Sequence, residues 1–496
     1  MGGGMAGLAT TINLLDIGLD VSLYEADEIL GGRASSWLDE DGDMIDNALH
    51  VFMPYYVNLL GFFRKMGIFD NITWKDSQFF YAMEDGKQAV LKFAKLPAPF
   101  HAAYAMAHLM KDFDKVPRWK MVAYGPLMAL GFMRSAENME ACDEICMDSF
   151  FSRYGPLDVM RPLMEPAING LTFTPGCNVS SQVMFNWFMK MFCSAENARV
   201  GFANGGLGEI WVDSCLEYIK SKDGEVFLNK GVTSINVEDR KIKSITLEGG
   251  EEATGDLYIS AISPYALRTV LPDESYDLEY FRDLWWFQYA PSLSLQVWFD
   301  RKLTDVDVTF FSNDCIFNTY ADLSNVLPHI FKGGTMFEMV LSPADHIQGL
   351  PDKVIFDIAI EQIKEIFPLA REAEVKKYKV VRERQGVYRP YPGMERHRPF
   401  QRSPYDNLYL TGDYTKTHVS SGGMEAAIWN SNKVAELIAQ DKLGKRVSLN
   451  VRYKPYEQLM RGVEIGKVMR LAAASIIAFT IMKKALSRRS NTCLDK

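Results

Sequence analysis

Gly2-Gly3-Gly4-Met5-Ala6-Gly7 opens the chain as a G-x-G-x-x-G run and leads straight into the helix-like, apolar segment Leu8 to Leu15. Eighteen residues past Gly7, Val21-Ser22-Leu23-Tyr24-Glu25 reads as a short strand closed by an acid. Together they describe one dinucleotide site. Gly2 allows the tight turn, Gly4 lets the backbone approach a pyrophosphate, and Gly7 lets the helix pack close to its strand. The phosphates then lie on a helix N-terminus, where free N–H groups and the dipole favour anions. Glu25 is placed to accept hydrogen bonds from ribose hydroxyls, and an acid there favours a free 2′-hydroxyl over a phosphate. Only Met1 stands where the preceding strand is expected, so the chain reads as trimmed at this end. Gly31-Gly32-Arg33 extends the motif with a cation for the same pyrophosphate or for the group it carries.

A chain of 496 residues is too long for one simple core, which predicts two interleaved domains and a tail. Composition is that of a folded enzyme, with 48% apolar, 24% charged and 12% aromatic residues. The seven cysteines (142, 146, 177, 193, 215, 315 and 493) contain no C-x-x-C pair and read as core thiols of a reducing compartment. Cys142 and Cys146, four apart, would share one helix face. The seven histidines (50, 101, 108, 329, 346, 397 and 418) are scattered and suggest neither a metal site nor a Ser-His-Asp triad. His50 and His418 lie nearest the glycine motifs and read as hydrogen-bonding structural residues. No nucleic-acid partner is expected.

Charge is asymmetric. Residues 441–496 hold 13 Lys and Arg against 4 Asp and Glu, within a chain whose net charge is −9. In this basic tail Leu471 to Met482 is an uncharged run, shorter than the roughly 20 residues a membrane span needs. It reads either as an interfacial anchor with attraction to anionic lipid or as an ordinary packing helix. Pro97 to Met110 and Met121 to Met133 form a second apolar pair, suited either to dipping into a membrane or to the core.

The coarse pattern is α/β. Strand and helix alternate at the start, then Tyr55 to Phe192 reads as largely helical and aromatic, and a glycine-rich turn at 201–206 leads into a helix over 210–220. Residues 225–228, 232–237 and 241–247 read as a β-meander, 256–261 as a buried strand, and 292–299 with 335–341 as parts of a second sheet. Finally Asn407-Leu408-Tyr409-Leu410-Thr411-Gly412-Asp413 brings a carboxylate to a turn, and Gly422-Gly423-Met424-Glu425-Ala426-Ala427 starts a new helix, again an anion-accepting end.

GGGMAGL, YEADEILGGR, DNALHVF, YLTGDYT and GGMEAA resemble the flavin-dependent desaturase and amine-oxidase superfamily. WFDRKL at 298–303, RPFQRSP at 398–404 and TGDYTK at 411–416 are similar to the plant and cyanobacterial phytoene and ζ-carotene desaturases. The resemblance covers residues 2 to about 438. It implies a discontinuous Rossmann-like FAD-binding domain (1–60, 195–265 and 380–440), a mixed-sheet and helical substrate domain (61–194 and 266–379), and the tail (441–496). It implies adenosine and pyrophosphate contacts from Gly2, Gly4, Gly7, Glu25, Gly31, Gly32 and Arg33, an adenine contact at Val232, a ribityl contact at Asp413, and a backbone N–H near the isoalloxazine at Met424.

The implied reaction is dehydrogenation of a long lipophilic polyene, phytoene first, with FAD as acceptor and plastoquinone or another quinone reoxidising it. No second G-x-G-x-x-G follows to bind NAD(P)H. A plastid membrane surface, peripheral or monotopic, is the implied location, and a homo-oligomer is compatible. The chain departs from the family at Ala48, where a glycine is expected, and at Trp187, where the plant-type enzymes are expected to have arginine; an indole there changes the charge and shape of a substrate or quinone channel. Arg301 either contacts substrate or quinone or closes a surface strand. The alternatives are a relative acting on ζ-carotene or a squalene-type lipid, an amine oxidase, and a non-catalytic flavin-bearing assembly protein.

Overall fold

The computed structural model describes residues 1–457 except 99, 137, 332, 418–421 and 456. His418, Cys493 and the run Leu471 to Met482 therefore lie outside the described residues. The fold is mixed α/β.

Four short parallel strands frame the N-terminal glycines. Ser22–Tyr24 pairs with Glu225–Phe227, and Tyr258–Ser260 with Leu408–Leu410. Met1 bridges the two pairs: its amine donates to Ile259 O (3.0 Å), its carbonyl accepts from Ala261 N–H (2.9 Å), and Gly2 N–H donates to Tyr24 O (2.8 Å). The place of the strand expected before the glycine loop is thus held by one residue's backbone. Helix Met5–Asp16 is buried from Met5 to Leu15 because helix Met424–Leu443 covers its other side. Their approach is close enough for Ser431 Oγ to donate to Ala6 O (2.9 Å) and for Asn13 to donate to Asn432 (2.8 Å). A helix enclosed on two sides needs no polar stripe, which accounts for the nearly unbroken apolar sequence.

Two expectations need correction. Glu225–Phe227 is not part of a meander; the chain turns away at Asn229, whose φ of 54° is left-handed, and only Val232–Glu238, Lys241–Leu247 and Glu252–Ala253 form the antiparallel unit. Nor is the aromatic stretch largely helical throughout. It contains a hairpin, Gln78–Ala82 and Gln88–Lys92, turned through left-handed Asp85 and Gly86. This hairpin joins Phe310–Phe311 in parallel and completes a seven-stranded sheet, in the order Val375–Tyr388, Tyr289–Phe299, Met336–Leu341, Phe317–Asp322, Phe310–Phe311, Gln78–Ala82 and Gln88–Lys92.

Alternate residues of this sheet serve two layers. Leu295, Val297, Phe337 and Leu341 pack with Ile355, Ala359 and Ile363 of helix Asp352–Ile366. The opposite face meets an aromatic layer that includes helices Leu157–Thr172 and Ser181–Met191. Helices Phe100–Leu109 and Arg118–Ala136 lie at its edge, with His101, Ala105 and Leu109 inward and Phe100, Tyr104, Met106, Trp119, Val122 and Leu127 exposed. Among the described residues no helix is long and apolar enough to cross a membrane. Cys142 and Cys146 share no helix: the first lies in the 3-10 turn Glu140–Glu144, and the second caps helix Met147–Tyr154.

Candidate functional site

The three motif glycines differ in what surrounds them. A Cβ on Gly7 would stand 1.8 Å from Gly2 O, so helix and loop can approach only because that atom is missing. Gly2 adopts φ +96°, which side-chain-bearing residues rarely do. Around Gly4 the nearest protein atom to such a Cβ would be Gly31 O at 3.8 Å, ordinary van der Waals contact, so the folded chain itself does not require a glycine there. Gly4 also caps helix Met5–Asp16 without a side chain, so the first-turn N–H groups keep no side-chain partner. Glu25 lies directly behind this loop, accepting from Gly3 N–H and, at 2.9 Å, from Asp27 N–H. Val232 packs against the same core cluster as Tyr24, and the neighbouring Gly231 approaches Ala26.

Gly31 and Gly32, both at positive φ, bring the second loop onto the first. Gly31 N–H donates to Gly3 O (3.0 Å), and a Cβ on Gly32 would lie 3.3 Å from Gly4 Cα. Arg33 follows and spans three remote parts of the chain: Nη2 meets Asp413 Oδ1 at 2.8 Å, and Nη1 donates to Gly386 O at 3.0 Å. The other Asp413 oxygen accepts from Gly423 N–H (3.1 Å), the residue that caps helix Met424–Leu443. Burial alone would raise the Asp413 carboxyl, but the Arg33 guanidinium and the Gly423 N–H hold it below the usual range. Thus Gly4, Gly32, Arg33, Asp413 and Met424 meet at one place, bordered by two helix N-termini and a half-exposed guanidinium.

Supporting groups complete the arrangement. Arg398, fully buried, donates to the carbonyls of Asp413 and Tyr414 and to Tyr388 Oη, with Glu395 as its counter-ion at 3.3 Å. His50 Nδ1 lies 2.6 Å from Ala48 O; burial lowers its pKa, and the charge of Arg33 lowers it further. Glu425, in the first turn of Met424–Leu443, accepts from the Asn58 and Leu59 N–H groups (3.1 and 2.8 Å) at the start of helix Val57–Lys65. Burial pushes Glu425 up to about 7.

Trp187 is buried on Ser181–Met191, hydrogen-bonded to Tyr56 and edge-on to Phe188 at 5.5 Å. One turn further along, Lys190 is also buried; burial draws its pKa down to about 8 against the pull of Glu425. The indole at 187 therefore does not deprive this helix of a cation. A lone lysine in the apolar run Trp187-Phe188-Met189-Lys190 was the available signal. Arg301 is not brought to this place. It is half-exposed at the end of Tyr289–Phe299, paired with Asp300 (3.2 Å) and Glu372 (4.0 Å). Among the described residues, the one close group of potential metal ligands is Asp39, Asp41 and Asp43, and Lys377 Nζ sits among them at 2.5, 2.7 and 2.7 Å.

Residues 5–439 match the model of the flavin containing amine oxidoreductases. The chain belongs to this family. It is 30% identical, over 89% of its length and 77% of the relative's, to the chloroplastic/chromoplastic 15-cis-phytoene desaturase of an Oncidium hybrid cultivar. It is 27% identical, over 92% of its length and 88% of the relative's, to the ζ-carotene desaturase of Arabidopsis thaliana. An oxidoreductase from Methanosarcina mazei has the same fold, with a TM-score of 0.68 at 18% identity over 88% of this chain and 98% of that one. The family's cofactor is a flavin, and the cradle fits one: helix ends without side-chain caps for phosphates, an acid behind the first loop, and a half-exposed guanidinium held by a buried carboxylate.

Proposed function

We propose that this chain is an FAD-dependent desaturase of a long lipophilic polyene, with phytoene as substrate and plastoquinone as the electron acceptor. The observation that carries this reading is the convergence of Gly4, Gly32, Arg33 and Asp413 beside an aromatic, largely buried layer, in a chain similar to phytoene desaturases over nine-tenths of its length. Glu25 favours the dinucleotide form, since its carboxylate stands where an adenosine ribose would be held. Bound there, an oxidised flavin supplies a two-electron acceptor.

The protein's part is binding, orientation and dryness. Gly2, Gly4, Gly7 and Gly32 hold backbone close to the phosphates, Arg33 contributes charge, and Asp413 accepts from ribityl hydroxyls while fixing Arg33. Met424 lends its backbone at the end of a helix. Trp187, Phe185 and Phe188 help form the apolar surface along which a hydrocarbon lies with water excluded. In this reading residues 1–60, 195–265 and 380–440 form the nucleotide domain.

Membrane contact belongs to the same proposal. Phe100, Tyr104, Met106, Trp119, Val122 and Leu127 offer exposed apolar area, and the basic tail adds attraction to anionic lipid. The setting is a plastid membrane surface, in keeping with the chloroplastic relative. Deleting 466–496 should weaken partitioning onto anionic vesicles while leaving the flavin bound.

Anaerobic incubation in liposomes with phytoene and a quinone tests the whole reading. Absorbing polyenes should accumulate. Consumption of ζ-carotene but not phytoene would transfer the substrate to the Arabidopsis-like alternative, and a flavin that neither substrate bleaches would end the desaturase reading.

A further inference from the structure

One carboxylate in the seven-stranded sheet has no evident structural purpose. Strand Met336–Leu341 is buried throughout, and Phe337, Met339 and Leu341 face helix Asp352–Ile366. Met336, Glu338 and Val340 must then face the other way, toward the aromatic layer. Glu338 is 1% exposed in the middle of that row. Its donor is Gln296, its cross-strand neighbour, whose Nε2 lies 3.2 Å from Oε1. A carboxylate offers about four acceptor positions, so one long contact leaves it largely unsatisfied.

The surroundings are polar and incomplete in the same way. Gln296 is 1% exposed and its Oε1 has no partner; Ser294, two residues back on the same face, is fully buried and its Oγ has none. Buried polar atoms are ordinarily paired, so two orphans beside one carboxyl leave hydrogen-bonding capacity that a carboxyl changing its charge would use. A second carboxyl, Asp46, acts on the cluster through its charge. It ends the hairpin Ser36–Leu38 and Met44–Asp46, accepts from Leu207 N–H (2.8 Å), and lies near enough for its charge to act on Glu338. This hairpin starts three residues after Arg33. Arg33 itself reaches Gly386, which packs against Ser292, so Ser292, Ser294 and Gln296 form a row from the guanidinium's anchor to Glu338, about 13 Å along the strand.

We propose that Glu338, paired with Asp46, is the proton acceptor of the desaturation. This rests on the function proposed above. One carbon of the saturated pair loses hydrogen with its electron pair to the oxidised flavin. The adjacent carbon loses a proton to the Glu338 carboxylate, and the electrons of that C–H bond become the new C=C bond. Gln296 and Ser294 position the carboxyl and take up its hydrogen bonds as it charges and discharges.

Electrostatics agree with that assignment. Burial, then the neighbouring Asp46, raises Glu338 well above the carboxylate range, and burial pushes Asp46 to about 7. Two carboxyls whose charges act on each other titrate as a unit, which keeps a base available near neutral pH. The other charged groups near the pair are Glu209 against Asp46, and Lys377 and Lys379 on the outer strand Val375–Tyr388, the first bonded to Asp43 beside the hairpin and the second opposite Gln296.

The test uses full-length, flavin-loaded protein in liposomes with phytoene, wild type against Glu338→Gln and Asp46→Asn. Anaerobic bleaching of the flavin by the polyene should slow by roughly 100-fold or more in Glu338→Gln with flavin content unchanged. Its rise with pH through neutrality should vanish. In Asp46→Asn the rise should persist but move to lower pH, because a like charge has been removed. Independently of substrate, infrared titration should find a buried protonated carboxyl in wild type that Glu338→Gln lacks. Wild-type bleaching rate and pH profile in Glu338→Gln would overturn the proposal; if that variant does not fold, an unshifted profile in Asp46→Asn would do the same. Failure of the wild type itself to bleach would instead sink the desaturase reading, and this proposal with it.

Discussion

The nucleotide cradle and the seven-stranded sheet are held together by different parts of the amino acid. In the cradle, glycines at 2, 4, 7, 31 and 32 let backbone meet backbone, and function depends on atoms that are missing. Across the sheet, interdigitating side chains such as Leu295, Phe337 and Ile363 fill the layers. Added volume is therefore fatal or harmless in the cradle depending on a single position, whereas the sheet and its aromatic layer respond in proportion to what is removed.

The sharpest break should come from Gly7→Val. With a Cβ 1.8 Å from Gly2 O the first helix cannot dock, and no folded flavoprotein should be recovered. Gly4→Val is its control: calorimetry should show near-native stability, while absorbance should show that bound flavin is lost, since the side chain enters ligand space. If Gly4→Val retained its full flavin content, the location of the pyrophosphate would be wrong. On the side-chain half, Trp187→Ala should cost about 3–5 kcal/mol of stability by denaturant unfolding, with flavin retained at permissive temperature.

Glu425 connects the two regions and makes the comparison depend on pH. Its folded pKa, about 7, lies above the unfolded value, so the folded state binds the extra proton. Stability is then unpenalised below pH 4, falls as pH rises, and is reduced by about 3 kcal/mol above pH 7. Glu425→Gln should flatten that slope between pH 5 and 8, and a parallel slope in the variant would contradict the assignment. The smallest effect belongs to Arg301→Ala. Its pairing with Asp300 is solvent-screened, so both stability and flavin binding should change by less than about 0.5 kcal/mol.

The same contrast explains what could be read without coordinates. The cradle was legible because each of its residues answers a local demand: a turn, a close approach, a strand end with an acid. Short motifs singled out Asp413 and Met424, and the fold brings Asp413 to Arg33 although the two motifs sit some 400 residues from Gly2. The sheet was harder. Gln78–Ala82 has alternating burial but lies among helical, aromatic sequence, and Glu225–Phe227 carries three-residue information compatible with either neighbour. Phe337-Glu338-Met339 looks like any buried strand with one polar interruption. Lys190 shows the limit inside a helix, where a cation one turn along changes the meaning of Trp187.

The reach of Arg33 has a consequence for biosynthesis. Its partners Gly386 and Asp413 leave the ribosome more than 350 residues after it does. Contacts of such separation form late and slowly. Cofactor loading at this cradle must consequently wait until translation is almost finished, whereas the aromatic layer, whose buried members all lie between Met53 and Met336, has its packing partners well before then.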